Sequence, residues 1–321
     1  MKVYRYGGYS SVAERQTVAL DVVGSTPTTH PNCLSLNQYL VSRHLLTNVA
    51  VLLVCWVATC PTAHANVPPN SLERGFQLLY NLDFSQAQEQ FSAYQEQHPD
   101  DPMGAVSEAS GLLFSELNRL GILSTHFFDR DSGFGSKPAL RPDPAIRQRF
   151  DSALQRAEAL TRSRLRSDAK DRRALLAVTL VNGLRADYTS LLEHRYGLAL
   201  HYTRDATSYA RELLAICPDC YDAYIATGIS GYLIGSVSAP LRWILRMGGF
   251  PASKKQGLAD LELVAERGHY LAPYARILLA MAEIREKNPA RARVLLMQLR
   301  DEFPGNPLFT RELARLSTEA N

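Results

Sequence analysis

From Asn66 onward, apolar residues recur at spacings of three and four, and strictly alternating runs are rare. That period places one apolar stripe along a helix rather than one apolar face on a strand. Clusters of Pro, Gly and Asp interrupt the pattern at short intervals and mark turns. The pattern predicts helices over 70–81, 84–98, 102–121, 143–165, 168–192, 196–217, 220–236, 240–248, 254–267, 271–287, 289–303 and 306–317. One long irregular stretch, 122–142, carries Gly133, Gly135, Pro138, Pro142 and the aromatics Phe127, Phe128 and Phe134. The expected fold is all-α, built of antiparallel helix pairs over 66–321. Many short helices with tight turns make an internal repeat the first thing to test.

Residues 71–99 carry such a unit. Gly75 takes the small position of the first helix, Ala87, Phe91 and Tyr94 the packing positions of the second, and Pro99 the stop. A small residue lets two helices approach, a large one fills the gap to the next pair, and Pro cannot donate a helical hydrogen bond. Residues 273–304 repeat the arrangement with Ala280, Ala292, Leu296, Leu299 and Pro304. A partial copy ends at Pro218, and Asp222-Ala223-Tyr224 through Gly228 reads as the start of another. These units resemble the tetratricopeptide repeat. The large aromatic that opens the repeat is replaced by Ser71 and Arg276, and 103–205 fits only as helix pairs of other lengths. Three stretches, Gly231–Ser236, Leu241–Phe250 and Glu302–Phe309, further resemble bacterial exported tetratricopeptide proteins. The middle one is faintly similar to a eukaryotic tetratricopeptide family linked to clearance of lipid-associated inclusions. The resemblance implies stacked pairs in an α-solenoid and an interaction scaffold, with no known reaction.

Composition adds compartment rather than chemistry. The 321 residues are 46% apolar and 21% charged, which excludes a disordered tail, a collagen-like fibre and a disulfide-rich miniprotein. The net charge of +3 falls to +1 once residues 1–65 are set aside, so no nucleic-acid partner is expected. Leu45–Ala58 is an uncharged apolar run after Arg43 and His44, and Ala63-His64-Ala65 follows as a small-x-small site. These features predict a signal peptide over 41–65, cleaved after Ala65, and a periplasmic or secreted protein. The alternative is a membrane anchor at 45–58. A lipoprotein site at Cys60 is weaker, because Thr59 stands where a smaller residue is usual. Residues 1–40 lack a sustained period, and Gly24-Ser25-Thr26-Pro27 resembles a translated tRNA-gene T-arm. They are expected to be a non-coding-derived or disordered extension, with the true start near Leu40 or Val41.

Candidate chemistry is sparse. Cys33, Cys55 and Cys60 belong to the leader, which leaves Cys217-Pro218-Asp219-Cys220. C-x-x-C can be a redox pair, half a zinc site, a local disulfide or two free thiols. No second C-x-x-C completes a zinc site, and no strand precedes the pair as in a thioredoxin-like motif. A structural disulfide suits an oxidising compartment. His194 and His201 are seven apart, about two turns, too far to share one metal ion without other ligands. Gly231-x-x-x-Gly235 marks either a close helix contact or a membrane dimer. The arginines of 141–173 read as a solvated helix face or as a site for an acidic segment. Nucleotide-binding loops and hydrolase motifs are absent, so neither a cofactor nor a metal is expected.

The functional expectation is a non-enzymatic envelope scaffold holding a protein or peptide segment in a concave groove, with Tyr188, Arg195, Tyr224 and Arg276 as groove residues. The alternatives are a membrane-surface protein that binds or senses lipid through 240–250, and a thiol-redox protein using Cys217 and Cys220.

Overall fold

Six helices begin behind a side-chain cap: Asp83, Asp101, Asp143, Asp171, Ser253 and Asn288 each accept a hydrogen bond from a first-turn backbone N–H. Such caps satisfy donors that the helix itself leaves open. Pro102, Pro144 and Pro289 sit in the first turn, where a missing N–H costs nothing. The computed structural model describes residues 71–125, 141–250 and 253–318. The expected extension (1–40), signal peptide (41–65), anchor (45–58) and the aromatics Phe127, Phe128 and Phe134 lie outside the described residues, as do Cys33, Cys55 and Cys60.

The described residues are helical, with no strand among them. In chain order the helices are α1 (Ser71–Tyr80), α2 (Phe84–Gln97), α3 (Pro102–Arg119), α4 (Ile122–Thr125), α5 (Pro144–Ser167), α6 (Arg172–Leu191) and α7 (Tyr196–Ile216). A 3-10 turn (Tyr221–Ala223) leads into α8 (Tyr224–Ser236). Then come α9 (Ala239–Met247), α10 (Lys254–Arg267), α11 (Ala272–Arg285), α12 (Pro289–Glu302) and α13 (Pro307–Thr318). Three boundaries move from the expected ones. α6 starts at Arg172 rather than 168, because Asp171 caps it and Asp168 closes a turn onto the Lys170 N–H. The helix expected from 220 splits into the 3-10 turn and α8. Ile122 and Leu123, expected in a loop, form the turn α4 because both bury in the core.

Most helices adjacent in the chain pack on one another, α3 packs on α5 past α4, and α8 packs on α10 past α9. The α8–α10 contact is unusually close. A Cβ on Gly257 would lie 2.3 Å from the Tyr232 backbone nitrogen, and one on Gly235 would lie 2.3 Å from that of Lys254. Gly231 faces Gly257 in the same seam, so the small-residue stripe of α8 is a packing face.

The array also closes on itself. Asn306 Nδ2 donates to the Tyr80 carbonyl at 2.9 Å, and Asn81 Oδ1 accepts from the Gly305 N–H at 2.9 Å. The Tyr80 and Phe303 rings lie 5.4 Å apart, and Phe76 lies 5.2 Å from Tyr270. A solenoid in which each pair touches only its neighbours lacks such contacts. A polar cluster reinforces the closure. Arg173 on α6 donates to Asp101 at 3.0 Å, Tyr94 at 2.9 Å and Tyr270 at 3.3 Å. Asp222 accepts the N–H groups of His269, Tyr270 and Leu271 at 2.9, 3.0 and 3.1 Å.

Candidate functional site

Winding the helices round leaves a cavity of about 450 Å³ between them. Its walls come from α1, α3, α4, α6, α7, α8, α9 and α11 and from residues 306–309. They are mainly aliphatic and aromatic: Phe76 and Leu79 from α1, Phe114 from α3, Leu180 and Leu184 from α6, Ile229 from α8. The turn after α1 contributes Leu82 in the left-handed region, φ 64°, a conformation an L-residue adopts only when its surroundings impose it. The volume falls within the range of small-molecule pockets, about 300–1,000 Å³.

One charged side chain stands among the described residues of these walls. Asp187 lines the cavity from α6, and its carboxylate meets no hydrogen-bond donor or cation among the described residues. Removal from bulk water, with nothing to stabilise the anion, pushes its pKa up to about 7. Tyr274 of α11 faces the same space, edge-on to Phe114 at 5.7 Å. Burial, then the nearby Asp187 charge, raises its phenol well above the usual tyrosine range. Tyr80 also lines the cavity and donates to the Tyr270 carbonyl at 2.9 Å.

Tyr196 and Leu200 of α7, Leu233 of α8 and Leu241 of α9 line the cavity and are also exposed to solvent, so the cavity opens at these residues, its mouth; Leu245 of α9 lines it half-buried. α9 buries none of its residues. It turns Leu241 and Leu245 to the cavity and leaves Trp243, Ile244 and Met247 open to solvent at 63%, 59% and 70%. Three large apolar side chains are thus exposed together on one short helix.

The sequence-predicted residues sit as follows. Tyr188 is buried, stacked 5.0 Å from Phe150 with the Arg147 guanidinium 4.1 Å over its ring. Arg195 is solvent-exposed near Glu193 at 3.7 Å. Tyr224 donates to the Pro218 carbonyl at 3.2 Å. Arg276 pairs with Glu302 at 2.6 Å, while its Nε is buried with no partner among the described residues. None of the four lines the cavity, yet each is next in sequence to a residue that does: Asp187, Tyr196, Ile225 and Ile277. One residue turns a helix by about 100°, so these side chains point to a different side from their cavity-lining neighbours.

The repeat-type positions are in the core: Ala87, Phe91, Ala280 and Ala292 are fully buried. A Cβ on Gly75 would lie 2.3 Å from the Phe91 ring, and one on Gly228 would lie 2.9 Å from Leu261. Pro99 and Pro304 follow the ends of α2 and α12. Cys217 and Cys220 form a disulfide with Cα atoms 5.4 Å apart, away from the cavity walls. His201 pairs with Asp205 at 3.5 Å, and His194 contacts Tyr196 at 3.4 Å. No group of three or more metal-ligating side chains occurs among the described residues. Four of the nine arginines in the basic stretch are in ion pairs: Arg147 with Asp151, Arg156 with Glu108, Arg164 with Asp171 and Arg173 with Asp101. No helix among the described residues is long and apolar enough to cross a membrane.

No protein-family model, curated protein or solved structure matches this chain.

Proposed function

We propose that this protein is a non-enzymatic carrier of an apolar small molecule, loaded and unloaded at a membrane surface. The observation that carries the reading is the mainly apolar cavity whose mouth lies beside the exposed apolar face of α9. An apolar molecule leaves water for such a cavity with a gain of about 0.8 kcal/mol per buried CH₂. α9 has the make-up of an interfacial helix: Trp243, Ile244 and Met247 are exposed, and Arg242 and Arg246 are beside them to meet headgroups. Arg242 also donates to the Gly235 carbonyl at 2.8 Å, which ties α9 to the end of α8.

In this reading the helix pairs are tetratricopeptide-like units wound into a closed array. Support comes from the buried Ala87, Phe91, Ala280 and Ala292 and from the Gly75–Phe91 contact. Closure leaves the interior to a small molecule rather than to an open groove for a peptide. Export by a cleaved leader belongs to the same proposal, since the local Cys217–Cys220 disulfide suits an oxidising compartment.

Liposome flotation tests the membrane step. The wild-type protein is expected to co-float in a salt-insensitive manner, and Trp243→Ser with Ile244→Ser to stay with the soluble fraction. Equal flotation of both proteins would reject the role of α9.

A further inference from the structure

We infer that the cavity selects a single-chain amphiphile carrying an ammonium group, with Asp187 as the residue that holds the cation. This rests on the carrier reading and adds the chemistry of the ligand's polar end.

Three observations combine. Among the described residues lining the cavity, Asp187 is the one with a formal charge, so the interior has a single pole. Its carboxylate, half-buried on the cavity wall, has no donor or cation to pair with among the described residues, although carboxylates withdrawn from bulk water are ordinarily paired. The cavity volume, about 450 Å³, fits one drug-sized molecule. An alkyl ammonium complements all three. Its chain covers the aliphatic wall, and its N–H groups donate to the Asp187 carboxylate in a water-poor site. A fatty acid does the opposite, since its carboxylate would face that of Asp187, and like charges so close cannot both ionise. A neutral alcohol gains the apolar contact and a weaker hydrogen bond.

The remaining titratable groups on the wall are tyrosines. Burial keeps Tyr80 and Tyr274 protonated, from α1 and α11, and Tyr196 stands at the mouth on α7. Selectivity for the amine therefore follows the ionisation of Asp187. Above its pKa of about 7 the site is anionic; below it the carboxyl is neutral and the preference fades.

The test uses the full-length protein with N-phenyl-1-naphthylamine as fluorescent reporter, displaced by dodecylamine, dodecanol or dodecanoate. At pH 8 dodecylamine is expected to bind about tenfold to a hundredfold more tightly than dodecanol, the usual advantage of a charge-assisted hydrogen bond. The ratio falls toward one at pH 5. Asp187→Asn abolishes the preference at pH 8, chiefly by weakening dodecylamine binding. If the wild type shows no amine preference, or Asp187→Asn retains one, the ligand assignment is overturned while dodecanol displacement upholds the cavity reading. Failure of all three compounds to compete overturns both.

Discussion

Asn306 donates to the backbone carbonyl of Tyr80 at 2.9 Å, joining residues 226 positions apart. The same side chain accepts the Leu308 N–H at 3.0 Å and lies on the cavity wall. One buried asparagine thus closes the helical array and helps enclose the space inside it. Asn306→Ala leaves the Tyr80 carbonyl without this partner and should cost roughly 1–3 kcal/mol. A domain of this size then loses several degrees of Tm in a thermal melt. Apolar-probe affinity should weaken in parallel.

The α8–α10 seam gives a sharper contrast. Gly257→Ala drives a methyl into the Tyr232 nitrogen and the Gly228 carbonyl, at 2.3 and 2.7 Å, and backbone cannot step aside as a side chain can. The expected loss is at least about 2–3 kcal/mol by denaturant unfolding. Gly183→Ala in α6 meets nothing within 4 Å and should gain about 0.5–1 kcal/mol from helix propensity alone.

Asp187 makes stability depend on pH with a definite sign. The folded protein keeps its proton up to about pH 7, whereas the unfolded chain releases it near the ordinary aspartate value. Between about pH 4 and 7 the folded state therefore holds more protons, so stability falls as pH rises and levels off above 7. Asp187→Asn removes the slope. It should gain ~2–4 kcal/mol at pH 8 and almost nothing at pH 4, measured by urea unfolding at both values.

Ligand length reports the walls. For a series of straight-chain alcohols, affinity should rise about threefold to fourfold per methylene and then stop rising once the cavity is full. Competition titrations read this directly. A flat series would place the alcohols outside the cavity.

Much of the fold was legible in local chemistry. Asp83, Asp101, Asp143 and Asn288 announce helix starts as side-chain caps, and Pro99 and Pro304 announce ends. The burial of Phe91, Ala280 and Leu296 follows from spacing. The cavity was not legible, for a physical reason. Leu180 and Ile229, which face the void, are the same residue types as Leu175 and Ile122, which face solid core, so hydrophobic spacing alone cannot separate them. Closure depends on Asn81 and Asn306, ordinary turn residues in sequence whose pairing is set at long range. Asp187 is not legible as a cavity residue, because a carboxylate beside apolar residues reads as surface. Its one available signal was its position on the apolar side of α6, one turn from Leu184 and Leu191.

The central claim is that the interior binds one apolar molecule per chain, and equilibrium titration with N-phenyl-1-naphthylamine tests it most directly. The wild type should show saturable binding at a single site. Ala226→Phe, which grows a ring from the cavity wall, should retain the helical circular-dichroism spectrum and lose the site. Absence of saturable binding in the wild type, or undiminished binding in a folded Ala226→Phe protein, would contradict the account.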